Sequence, residues 1–319
     1  MIRCLHVLYV RHVMLMSTIH HTKRTLQPYF ALVRAPFLVF TAIVILLPAA
    51  AAAEAGILNV TNTLLAFGSV LAAHVAVNIL NLASDYRTGI DEATDETPYS
   101  GGNDVLVSGT LSYRRALAAG VIAILASALF VVPLVSQFGG IVLLFYGVGT
   151  VLVVGYTDVF ARIGLGEFAC GAGLTFLPTV AVGYIQAGTF PESVLYLSVP
   201  MFLVGFNLLL LNEFPDVEAD RTNGRVNIPV VLGRQTAGYI YFGLVGVLVA
   251  SLLYPIATGA LPATVAVAIL PIALLAPIFR TVVLEGNGDL TDDELGNHIL
   301  WTQTTIVALA VGMAAAAVL

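Results

Sequence analysis

Two loops of this chain gather the side chains with which proteins hold a magnesium–phosphate complex. The first reads NLASDYRTGIDEATDETPYSGGNDVLVSG from Asn81, and the second reads NEFPDVEADRTNGRVNIPVVLGR from Asn212. Each opens on the same figure, Asn81-x3-Asp85 and Asn212-x3-Asp216, and runs on to a further aspartate, Asp91 in the first and Asp220 in the second. Residues four apart share a helical face, so Asn81 is expected to point with Asp85, and Asn212 with Asp216 and Asp220. Carboxylates gathered this densely repel one another unless a cation sits among them. Hard oxygen donors favour Mg2+, which keeps several waters and completes its shell with substrate phosphates. Arg87, Arg162, Arg221 and Arg225 flank the acidic groups and can take the phosphate oxygens that a metal leaves free.

The scaffold behind these loops is a membrane one. Of 319 residues, 59% are hydrophobic and only 10% are charged, and the mean hydropathy is +0.95. A soluble domain carries about 25% charged residues, so most of this surface must face lipid. Nine apolar stretches, 29–50, 57–82, 114–135, 139–157, 165–186, 194–213, 236–256, 261–280 and 297–318, are candidates to cross the bilayer, each near the ~20 residues a transmembrane helix needs. Their lengths, without ten-residue alternation, exclude a β-barrel. The expected fold is an all-α membrane bundle of about nine transmembrane helices around a central cavity.

Lysine and arginine mark the cytoplasmic side of membrane helices. With the N-terminus inside, the inside segments are 1–28, 83–113, 158–164, 214–235 and 281–296. All 13 basic residues fall in them or at their edges, whereas the outside segments carry only Glu54 and Glu192 as charges. Both aspartate loops are therefore expected on the cytoplasmic face of the inner membrane. Residues 1–28 read as a basic leader around a short apolar run, and 29–319 as a single transmembrane domain.

Other features have plainer readings. A single acidic loop between membrane helices is ordinarily a solvated connection. Two loops that share one figure at matching helix ends, on one face, carry the functional reading instead. Cys4 and Cys170 form no framework, and Cys170 reads as a packing residue. No basic stripe exists for a nucleic acid. His74 and His298 read as structural, Trp301 as an interface anchor, and Thr291 as the N-cap of a helix with an acidic first turn.

The chain resembles the UbiA superfamily of intramembrane prenyltransferases, in the branch acting on 1,4-dihydroxy-2-naphthoate for menaquinone-type products. That branch's first motif, N-x3-D-[YF]-x2-G-x-D, matches Asn81, Asp85, Tyr86, Gly89 and Asp91. Its second, N-x3-D-x3-D-R-x2-G, matches Asn212, Asp216, Asp220, Arg221 and Gly224. Arg34 and Pro36 match an Arg-x-Pro near the first helix, and Tyr156, Thr157, Gly164, Leu165, Gly166 and Glu167 match a segment after the fourth. Leu82 and Gly89 stand where the 4-hydroxybenzoate branch is acidic, which sets the chain apart from that branch. The resemblance runs from about residue 29 to the C-terminus.

It implies Mg2+-dependent transfer of a prenyl group from a polyprenyl diphosphate to an aromatic acceptor. Asp85, Asp91, Asp216 and Asp220 would hold the metal diphosphate, Asn81, Asn212 and Tyr156 would line the site, and the four arginines would clamp phosphate. Residues 86–113, with Pro98, Gly101 and Gly102, are the natural lid. Other acceptors, a chlorophyll or lipid precursor among them, and a terpene cyclase remain open within the family. A transporter is disfavoured, because the charges gather at one face rather than at the midplane.

Overall fold

The computed structural model describes residues 28–90, 104–286 and 288–318. Each apolar stretch becomes a helix: α1 (Ala35–Glu54), α2 (Val60–Thr88), the short α3 (Asp104–Val107), α4 (Tyr113–Phe138), α5 (Gly140–Gly155), α6 (Gly166–Ala187) and α7 (Glu192–Asn212). Two short helices follow, α8 (Val217–Thr222) and α9 (Ile228–Leu232), then α10 (Arg234–Ala257), α11 (Ala263–Leu284) and α12 (Asp292–Ala316). Among the described residues, 8 helices are long and apolar enough to cross a membrane, and α5 is a shorter apolar helix beside them. The chain is an integral membrane protein with an all-helical bundle, as its composition requires.

Helix ends are set by local chemistry. The Asn59 side chain accepts from the Asn62 backbone N–H at 3.0 Å and starts α2. Gly89, at φ 79°, ends it in the left-handed conformation that only glycine adopts freely. Thr291 and Glu294 close a reciprocal capping box at the start of α12. The leader and most of the expected lid, residues 91–103, lie outside the described residues.

Two packing units make up the bundle. In one, α2 lies along α4, with α5 and α6 beside them; in the other, α1, α7, α10 and α12 surround a core that includes Val44, Leu210, Tyr241 and Trp301. Trp301 is fully buried against Tyr241 and His298 instead of anchoring the interface. Hydropathy cannot tell which face of α12 an indole occupies, and here the inner face holds it. His298 is structural as expected, linking the Tyr241 hydroxyl at 3.0 Å and the Leu208 carbonyl at 3.2 Å.

Polar links show which loops share an end. Arg225 reaches Asp85, Arg87 reaches Asp158, the Val226 N–H donates to the Ala161 carbonyl, and Arg234 pairs with Asp289. The loops after α2, α5, α7 and α11 therefore lie together at one polar end. At the opposite end the Asn59 N–H donates to Gln186.

Helices α6 and α7 cross closely because both present small groups. A Cβ on Gly205 would lie 2.4 Å from Thr175 Oγ1 and 3.0 Å from Gly171 Cα. Gly205→Ala should therefore destabilise the protein by about 1–3 kcal/mol through overpacking. Gly147→Ala in α5, where nothing lies within 4 Å, should be neutral or stabilising by up to about 1 kcal/mol. Denaturation in detergent compares them, and equal effects would refute the close crossing.

Candidate active site

The first motif is embedded in α2. Because that helix continues to Thr88, Asn81 and Asp85 lie one turn apart within it, on one face and not at its exit. Asp85 is almost fully buried and paired with Arg225. Asn81 Nδ2 donates to Thr157 Oγ1 at 3.1 Å, tying α2 to the segment after α5. Asp91 lies outside the described residues.

The second motif departs from the single helical face expected of it. Helix α7 stops at Asn212, the chain turns, and α8 starts only after Asp216. Pro215 supplies the reason, since it has no N–H to extend α7. Asp220 nevertheless returns to the site. Arg225 Nη1 lies 3.4 Å from Asp220 Oδ1, and Asn227 Nδ2 donates to Oδ2 at 2.8 Å. Arg225 thus joins Asp85 of the first motif to Asp220 of the second.

The electrostatics leave an excess of buried acid. Burial works against the Arg225 charge, but Asp85 and Asp220 outweigh it and keep it more firmly protonated than a free arginine. Burial, then Asp220, pushes Asp216 up to about 7. Burial also raises Asp220, against Arg225 and Asn227, and raises Glu213 well above the usual carboxylate range, with Glu167 and Asp220 adding to the effect. Two oxygens here, Asn212 Oδ1 and Glu213 Oε2, are buried with no hydrogen-bond partner among the described residues.

Orphaned oxygens amid surplus carboxylates suit a hard divalent cation. Among the described residues no three acidic, histidine or cysteine side chains converge closely enough to hold one alone. The set fits an ion that draws its remaining ligands from water and a bound phosphate, which is how Mg2+ is ordinarily held.

Below this polar mouth runs a cavity of about 280 Å³ between α2, α4, α5 and α6. It is lined on α2 from Asn81 down to Ala66, a depth of about 22 Å at the helical rise. Arg34, Asn81 and Tyr156 stand at its top, whereas Leu134, Val142 and Ile185 lie at its far end. Midway, His74 lines the wall, its Nδ1 2.7 Å from Thr41 Oγ1. Cys170 lines the cavity too and is half-buried.

Of the expected residues, Asp85, Asp216, Asp220, Arg225, Asn81 and Tyr156 gather at or above this mouth, and Asn212 ends α7 with its Oδ1 buried. The other arginines do not. Arg87 turns to Asp158 at 2.8 Å, and Arg221 pairs with Glu218 at 3.1 Å on the exposed face of α8. Arg162 is exposed, with no ion pair among the described residues. Spacing did not single out Glu213, Glu167 or Asn227. An acidic residue next to Asn212 at a membrane helix end was the available signal for Glu213. Arg34, known only through its Arg-x-Pro, is the one non-glycine residue at positive φ among those described, at 49°.

The model of the UbiA prenyltransferase family matches residues 38–289, and the chain belongs to that family. Its fold agrees with a UbiA homolog from Archaeoglobus fulgidus solved with DMAPP and Mg2+, at TM-score 0.65 and 16% identity over 90% of this chain and 99% of that one. It agrees likewise with a digeranylgeranylglyceryl phosphate synthase, at TM-score 0.63 and 16% identity over 92% and 99%. Among curated relatives, the chloroplastic chlorophyll synthase of Avena sativa is 33% identical over 98 residues, 30% of this chain and 26% of that protein. That of Arabidopsis thaliana is 34% identical over 83 residues, 26% and 21%. These matches span about a quarter of the chlorophyll synthases' length.

The acidic site makes cation affinity depend on pH. Without metal, Asp216 holds a proton below about 7, and a cation bound by it would have to displace that proton. Mg2+ affinity, followed by thermal shift of the purified protein, should fall at least about tenfold for each pH unit below that point, at least one proton being linked to binding. Affinity unchanged between pH 8 and pH 6 would contradict the assignment.

Proposed function

We propose that the protein transfers a prenyl group from a polyprenyl diphosphate to an aromatic acceptor, 1,4-dihydroxy-2-naphthoate or a related quinone precursor, with Mg2+ as its metal. The observation that carries this reading is the bridge from Asp85 through Arg225 to Asp220. It sets one carboxylate of each motif, with a shared cation, above an apolar cavity deep enough for a hydrocarbon tail. Relatives of the same fold solved with DMAPP and Mg2+, and with GPP and Mg2+, support the donor and the metal.

Asp85, Asp216 and Asp220, the Asn212 side-chain Oδ1, and Asp91, which lies outside the described residues, would hold the metal. Bound there, it supplies charge stabilisation to the departing diphosphate. Arg225 and Arg34 are placed to take phosphate oxygens, the first already fixed between two carboxylates. The cavity wall receives the tail and keeps water from the allylic cation that forms as the diphosphate leaves. The electron-rich ring of the acceptor then attacks that cation. The first motif's match to the naphthoate branch supports this acceptor. The stretches of identity with chlorophyll synthases favour a second reading, a chlorophyll-precursor acceptor at the same site. The distribution of basic residues supports placing this end on the cytoplasmic face of the inner membrane.

Purified protein given Mg2+ and a polyprenyl diphosphate, with 1,4-dihydroxy-2-naphthoate or chlorophyllide as acceptor, should yield a prenylated naphthoate-derived product by mass spectrometry. Excess EDTA should abolish it. Asp85→Ala and Asp216→Ala should each lose at least ~100-fold in rate, or about 3 kcal/mol of barrier, whereas Asp292→Ala and Asp293→Ala in the first turn of α12 should match wild type. Turnover that survives EDTA, or a well-folded Asp216→Ala protein with normal activity, would refute the two-motif site. Product from chlorophyllide alone would replace the proposed acceptor.

A further inference from the structure

The second motif's return segment, residues 223–227, lies between α8 and α9. Yet it carries two side chains that fix the acidic pair. Arg225 spans Asp85 and Asp220, and Asn227 donates to Asp220 at 2.8 Å. A displacement of this segment by even an ångström would break both contacts, so something must hold it in place.

Two hydrogen bonds from neighbouring chain do so. The Val226 N–H donates to the Ala161 carbonyl at 2.9 Å, in the segment between α5 and α6. One residue beyond Asn227, the Ile228 N–H donates to Glu167 Oε1 at 2.7 Å. Glu167 is 1% exposed and lies in the first turn of α6. Burying a carboxyl in a membrane bundle is costly without a partner, and here its partners are the Ile228 N–H of the segment that carries the site and the side chain of Glu213. Asn227 is also fixed from below, since its Oδ1 accepts from the Val230 N–H at 2.8 Å. Its amide is thereby left aimed at Asp220.

We propose that Glu167 is a positioning residue: its carboxyl anchors the segment 225–228 to the rigid start of α6, and so sets Arg225 and Asn227 on Asp85 and Asp220. Glu167 acts through the Ile228 backbone and touches neither metal nor substrate. The inference rests on the proposed function only in taking these aspartates as the diphosphate site. An acceptor is all that the Ile228 N–H requires, so glutamine at 167 should serve as well as glutamate. Alanine should not.

The probe is inorganic pyrophosphate with Mg2+, and its binding to the purified full-length protein is read by thermal shift, beside prenyl-transfer kinetics. In Glu167→Ala the half-saturating concentration should rise roughly ten- to hundred-fold, the range seen when outer partners of metal ligands are removed. Glu167→Gln should bind as wild type does. Ile228→Pro tests the same bond from the other side. Proline removes the N–H and is favoured at the first position of a helix, and Asn227 at φ −138° and ψ 170° already has the extended backbone that precedes proline. It should reproduce the Glu167→Ala shift, and the two changes together should add nothing further. Additive shifts, or wild-type binding by a folded Glu167→Ala or Ile228→Pro protein, would overturn the inference. A wild-type protein that ignores Mg2+ and pyrophosphate would remove the functional reading itself, and this proposal with it.

Discussion

Arg225 lies between Asp85 and Asp220, which are far apart in the chain and come from the two different motifs. All three are largely withdrawn from water, where unpaired charge is strongly disfavoured. Two carboxylates without the guanidinium would repel, and the guanidinium without them would be buried alone. This contact obliges the loop after α7 to fold back over the end of α2. The remaining features of the polar end follow from that return: Asn227 on Asp220, Val226 on Ala161, and Asp216 drawn into the same field.

The pairing does not neutralise the site. Asp216 and Glu213 remain beside it, both displaced toward their protonated forms, and two buried oxygens have no donor among the described residues. Such a cluster is a reservoir of unfavourable electrostatic energy that a divalent cation and its phosphate ligand can relieve. The apolar cavity starts where the charges stop, with Arg34, Asn81 and Tyr156 as its rim. Charged head and hydrocarbon tail thus meet different solvents within one turn or two of α2. A prenyl diphosphate has that same division.

Much of this was legible in the residues, because lipid restricts what a chain can do. Every apolar stretch of sufficient length became a helix, and the paired Asn-x3-Asp figures led to two segments that do meet, the end of α2 and the chain after α7. Periodicity misleads where it runs past a breaker. Four-residue spacing puts Asn212, Asp216 and Asp220 on one face, but Pro215 stands among them and α7 ends before it. The arginines were harder. Arg87 and Arg221 serve nearby carboxylates, Asp158 and Glu218, as any basic residue at a membrane edge can, and spacing does not separate these from Arg225. Trp301 shows the same gap: a helix apolar on most faces does not announce which of them is inside. The left-handed backbone at Arg34 has no sequence signal beyond the proline that follows.

The bridge itself is open to direct measurement by a double-mutant cycle on stability in detergent, using Asp85→Asn, Arg225→Gln and the pair. Arg225→Gln leaves Asp85 buried without its cation, and Asp85→Asn leaves Arg225 with Asp220 alone, so each single change should be destabilising, the first by about 3–5 kcal/mol. If the two side chains form this bridge, the double variant is more stable than the sum of the singles allows, with a coupling of at least ~1 kcal/mol. Additive losses would mean that Asp85 and Arg225 do not meet, and that the two motifs do not form one site.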